Sequence, residues 1–129
     1  MNIVVFAHQS RWQANILRRY GNVVLMDATY KTTVYDLPLF MLSVKTNCGY
    51  VVVGSFIVPD EQATSIKAGL QVISSWCPDW QPAYVLSDYC EAQISALEYV
   101  FPGKSYQSTR VTLFFVCHFA KVNYLKTHI

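Results

Sequence analysis

Two aspartates follow apolar runs in this 129-residue chain. In "NVVLMDATYKT", Asn22 to Thr32, the apolar residues Val23, Val24, Leu25 and Met26 run straight into Asp27, and strand-type chemistry resumes at Thr29 and Tyr30. An uncompensated carboxylate inside such a strand costs on the order of several kcal/mol. In "AYVLSDYCE" a second apolar run ends at Asp88. Hard divalent cations such as Mg²⁺ or Mn²⁺ take carboxylate oxygens, and paired ions clamp the attacking and leaving oxygens of a phosphoryl transfer. Each aspartate also has a plainer account. Asp88 with Glu91 three residues on reads as a helix N-cap with a capping box, and Asp27 could cap a turn or bond Thr29 at a strand end. The metal reading depends on the two being joined on neighbouring strands.

Other candidates carry less. Cys117 and His118 are adjacent, so in a strand they face opposite ways and make a poor nucleophile–base pair. With His128 they lack the usual zinc-ligand spacing. His8 reads as a surface residue, and Trp76, Trp80 and Tyr84 as a packed corner beneath a loop. Arg18, Arg19, Lys31, Lys121 and Lys126 are candidates for a phosphate-facing rim, with a solvated face as the default. Glu91 and Glu98 are formal candidates for a third acid, though a capping residue and a helix-surface residue account for them more simply.

The elements that would place these residues can be read from periodicity. "QSRWQANILRRYG" sets Trp12, Ile16, Leu17 and Tyr20 at helical spacing, with Gly21 as the stop. A strand follows from about Val23 to Tyr30. "LPLFMLSVKT" and "YVVVGSFIV" are two more strands, joined by a tight turn at "NCG". "PDEQATSIKAGLQVISSWCP" aligns Ile66, Leu70, Ile73 and Cys77 on one helical face, with Asp60 or Glu61 at its start and Pro78 at its close. "AYVLSD" is a fourth strand, "YCEAQISALEYVFPG" a helix with Ile94, Leu97 and Phe101 inward, and "TRVTLFFVCHF" a fifth strand. "AKVNYLKTHI" could begin another helix.

Three antiparallel strands followed by two helix-linked strands predict an α/β, ribonuclease H-like domain. Its sheet would be five-stranded and mixed, three antiparallel strands then two parallel, with helices on both faces. Residues 1–21 would be an N-terminal strand and helix leading into a domain spanning 22–129. In that order the fourth strand lies beside the first, about 4.8 Å away, which brings Asp27 and Asp88 to one rim.

The bulk numbers agree with a packed domain. Hydrophobic residues make up 53% and charged residues 14%, which argues against disorder. The net charge of +2 permits a nucleic-acid partner without requiring one. The four cysteines, at 48, 77, 90 and 117, form no close pairs, and no secretory leader or membrane-length run is visible. They read as reduced thiols of an intracellular protein.

The run "LMDATYKTT-YDLPLF", a strand hairpin and then "LSDYCEAQISALEYVFPG" resembles the transposase domain of the Mutator-like (MULE) group. It is most similar to the ribonuclease H-like domain of the SWIM-type zinc-finger proteins derived from such transposases. The resemblance covers about Trp12 to Phe101. It implies that Asp27 and Asp88 are the first two catalytic and metal-binding carboxylates of a Mg²⁺- or Mn²⁺-dependent DNA strand-transfer site. It also implies a nuclear location and DNA as partner. The alternative is a domesticated, non-catalytic module that binds DNA or protein. Two departures stand out: Ala120 occupies the place of the family's histidine after Cys117, and the third acid and the SWIM zinc module lie beyond the sequence in hand, as in a domain truncated at its C-terminus. A DEDD-type exonuclease on the same fold is disfavoured, because such enzymes carry Asp-x-Glu on the first strand and Thr29 stands there.

Overall fold

The computed structural model describes residues 4–29, 36–87 and 90–101, and the backbone of 105–108. In chain order the elements are β1 (Phe6–His8), α1 (Arg11–Tyr20), β2 (Val23–Thr29), β3 (Leu39–Thr46), β4 (Gly49–Ile57), α2 (Ala63–Trp76), β5 (Tyr84–Ser87), α3 (Glu91–Val100) and β6 (Ser105–Ser108). The strands form one sheet in the order β1-β4-β3-β2-β5-β6. β2, β3 and β4 are antiparallel neighbours, whereas β5 joins β2, and β6 joins β5, in parallel. This is the expected mixed sheet with two changes. β1 adds a sixth strand, pairing antiparallel with the outer edge of β4. The strand beside β5 is Ser105–Ser108, and the strand expected over 109–119 lies outside the described residues, as does the helix start expected at 120–129.

Strand parity divides the sheet into two faces. Val24, Met26 and Ala28 of β2 share one face with Phe40, Leu42 and Val44 of β3, and all belong to one continuous core. Leu17 of α1, Ile66, Leu70 and Ile73 of α2, and Ala96 and Leu97 of α3 join that same core. The face of α2 predicted from spacing, Ile66, Leu70, Ile73 and Cys77, is fully withdrawn from solvent. Gly69 lies in that face because the Phe56 ring occupies the space a Cβ would need. Phe56 in turn stacks on Phe40, with centroids 5.2 Å apart. Leu25, Met41 and Val52 on the opposite face form smaller clusters, to which no described helix contributes, so the described helices cover one face of the sheet where helices on both were expected.

The entry to β2 is built by α1. Ser10 caps the helix through the Gln13 N–H, and the Gln13 side chain accepts from the Ser10 N–H, completing a capping box. Gln13 is buried, and its Nε2 donates to the Val52 carbonyl at 3.0 Å. Gln9 Nε2 donates to the Val53 carbonyl at 2.9 Å. These two carbonyls lie where the β3–β4 register shifts: Leu42 pairs with Gly54 but Ser43 pairs with Val52. An inserted residue disrupts the local ladder, and the two glutamines supply donors there. The inner face of α1 is thus Gln13 and Leu17, while Trp12, one of the four residues at helical spacing, is 59% exposed. Gly21 ends α1 at φ −77°, so it is not needed for a left-handed turn. It is needed for space, because Trp80 packs on it and donates Nε1–H to its carbonyl at 3.0 Å.

Candidate functional site

Asp27 lies in the interior of β2, directly opposite Met41, with Ala28 and Thr29 still paired to β3 beyond it. It is therefore not at a frayed strand end. It is 9% exposed and sits on the face opposite the helices. Leu25 and Thr29 flank it along β2. The row through it continues across the sheet from Met41 to Ser55 of β4 and His8 of β1. His8 is exposed at the sheet edge, as expected.

On its other side β2 pairs with β5 from Val23–Tyr84 to Met26–Ser87. Ser87 is buried and is the last described residue of that strand, while Asp88 lies outside the described residues. The described backbone does bear on the capping account of Asp88. α3 begins at Glu91, with Cys90 in the N-cap position and no side-chain cap. Glu91 thus fills the first helical position, not the third that a capping box requires. Both Glu91 and Glu98 are exposed on α3.

A divalent cation at this rim would need hard oxygen donors. The Asp27 carboxylate is of that type, and the second donor offered by the sequence is Asp88. Among the described residues no three His, Cys, Asp or Glu side chains converge. The described donors thus fit one ligand of such a centre.

The remaining candidates divide. Arg18 and Arg19 end α1 immediately before β2, at the opposite end of that strand from Asp27, so they do not share a rim with it. Lys31, Lys121 and Lys126, together with Cys117, His118 and His128, lie outside the described residues. The tryptophan corner is real at Trp80, which is buried and meets Phe101 edge-on at 5.0 Å, but Trp76 and Tyr84 are each 45% exposed. Cys48, Cys77 and Cys90 are unbridged. Among the described residues no helix is long and apolar enough to cross a membrane. The surroundings of Asp27, namely Met41, Ser43 and Ser55, could not be read from the sequence, since they depend on cross-strand register. Gln93 was also missed. It is buried in the first turn of α3 with no hydrogen-bond partner for its Oε1 among the described residues, and it stands one residue before the leucine-spaced face that periodicity picks out.

Comparison with known proteins bears on the fold and the family. Among solved structures the chain is similar to the catalytic core domain of BIV integrase, with a TM-score of 0.52 at 14% identity. The match covers 78% of this chain and 64% of the integrase core, so the chain spans less than two thirds of that relative. At that identity the likeness establishes the fold, which is ribonuclease H-like. Residues 1–107 match the family model described as "Zinc finger SWIM domain-containing protein 1/3, RNaseH-like domain", and the chain belongs to that family. No curated protein matches it by sequence.

Proposed function

We propose that this chain is a transposase-derived ribonuclease H-like domain whose ancestral reaction is metal-dependent DNA strand cleavage and transfer. Asp27 and Asp88 persist in it as a divalent-cation rim. The observation that carries this reading is the placement of Asp27: a buried carboxylate mid-strand on β2, one residue beyond the Met26–Ser87 pair that ties β2 to β5. Carboxylate oxygens are the hard donors that a divalent cation takes, and Asp27 is supported for that role by its place beside β5, the strand that leads to Asp88. Mg²⁺ or Mn²⁺ bound there would supply Lewis-acid stabilisation of a phosphoryl group. The protein's part is to fix the carboxylates on adjacent strands of a rigid sheet.

A second reading, a non-catalytic module that binds DNA or protein, draws on what surrounds Asp27. Its neighbours on β3 and β4 are Met41, Ser43 and Ser55, and the glutamates that follow Asp88 in the sequence lie exposed on α3. Cleavage would then require an acid that these positions do not provide. Plasmid nicking separates the readings. With Mn²⁺ and supercoiled DNA, the second reading expects no nicking above the level of an Asp27→Asn control. Nicking by the parent that is lost in Asp88→Asn would establish the catalytic one.

A further inference from the structure

Charge is divided along the strand axis. β2, β4 and β5 run in one direction, since β2 and β5 pair in parallel and β3 is antiparallel to both β2 and β4. Asp27, Asp36, Asp60, Glu61 and Glu91 fall towards or just beyond the C-terminal ends of these strands. Arg18 and Arg19, in the last turn of α1, and Lys45, beside the β3–β4 turn, fall at the opposite end. The acids described at that end are Asp79 and Glu98, the latter in the last turn of α3.

At this basic end the sheet face that carries Asp27 presents an ordered row. Tyr50 of β4 pairs with Lys45 of β3, and Val23 of β2 pairs with Tyr84 of β5. Extending the Leu25–Ser43 register by two residues sets Lys45 beside Val23. Alternation along each strand places all four on one face. Tyr84 is 45% and Val23 42% exposed, Lys45 is exposed, and Tyr50 is partly so. The two tyrosines stand three strand spacings apart, about 14 Å at ~4.8 Å per strand, with the lysine between them.

We propose that this row is a docking surface for single-stranded nucleic acid, remote from the carboxylate rim. Bases of any sequence stack on exposed aromatic rings, and a lysine between two such rings neutralises the phosphate that links the stacked bases. Lys45, exposed within the row, supplies the positive charge that a polyanion complements. A duplex fits less well, because its bases are already stacked on one another. A purely apolar partner fits less well too, because the row offers one aliphatic side chain, Val23. The inference stands on register, exposure and charge, and does not depend on metal binding at Asp27.

The test is fluorescence anisotropy of a short labelled oligo(dT) titrated with the full chain at low salt. The parent should bind saturably. Tyr84→Ala should weaken binding about tenfold, Lys45→Glu should weaken it comparably, and Tyr84→Phe, which keeps the ring, should restore it. Trp12→Ala, an exposed aromatic on α1, should leave it unchanged. Tyr84 and Lys45 are both solvent-facing, so these variants should keep the parent's circular dichroism. Affinities of Tyr84→Ala and Lys45→Glu within twofold of the parent would overturn the proposal, as would the absence of saturable binding by the parent.

Discussion

Met26 of β2 and Ser87 of β5 lie level in a parallel pair, and the residues that follow them in the sequence are Asp27 and Asp88. That pairing converts two separate sequence features into one candidate rim. Asp27 itself lies on the sheet face away from α1, α2 and α3, in a row whose other members are Met41, Ser55 and His8.

The packing of α2 on the sheet depends on Gly69. A Cβ there would run into the Phe56 ring, which is held in place by its stack on Phe40. Gly69→Ala gains helix propensity but overpacks the core, with a net loss expected at about 1–3 kcal/mol. Urea unfolding should show a lower midpoint with an unchanged slope. A midpoint equal to or above the parent's would mean that α2 moves off the sheet at little cost.

Gln13 joins the α1 cap to the irregular stretch of β4. Gln13→Leu keeps the bulk but leaves the Val52 carbonyl and the Ser10 N–H without their side-chain partner. A loss of about 1–3 kcal/mol is expected for these part-buried and buried groups. Ser10→Ala should cost less, about 1 kcal/mol. The double variant should cost less than the sum, since both substitutions break the same capping box. Chemical denaturation of the three variants checks all of this.

Asp60 organises the approach to α2 and titrates accordingly. Its carboxylate accepts from the Ser65 hydroxyl at 2.6 Å and the Gln62 N–H at 3.0 Å, and these bonds, Ser65 first, hold its pKa below the ordinary aspartate value. A pKa lower in the folded than in the unfolded chain means that the stabilisation is present above the unfolded value. It fades as pH falls through the folded one. Carboxyl-carbon NMR titration should place Asp60 below the ordinary aspartate value, and Ser65→Ala should move it upward. An unchanged titration in Ser65→Ala would contradict the assigned cause.

Much of this was legible in the sequence wherever one physical signal acted alone. The spacing of Ile66, Leu70, Ile73 and Cys77 gave the buried face of α2, and the apolar run into Asp27 marked an unusual strand. The failures came where tertiary context decided. Trp12 shares helical spacing with Leu17, yet the inward position belongs to Gln13, because the β4 carbonyls at the register shift accept from a glutamine amide. The N-terminal strand was expected, but not its pairing: three residues of β1 are too few for alternation to show that they add an edge to the sheet beside β4. β6 is the polar "SYQS", which propensity passes over in favour of the more strand-like run after it. Glu91 looked like the third position of a capping box because "DYCE" has the right spacing, but the helix starts three residues beyond Asp88. Register, which makes neighbours of Asp27 and Met41, is a property of two strands and cannot be read from either one.

The most direct test of the carboxylate rim is a Mn²⁺ titration of the full chain beside Asp27→Asn and Asp88→Asn, followed by calorimetry or by water-proton relaxation. The parent should bind Mn²⁺ saturably, and each single substitution should abolish or severely weaken that binding while the fold persists. Superimposable titrations for the parent and Asp27→Asn would show that the buried aspartate holds no cation, and would contradict the account.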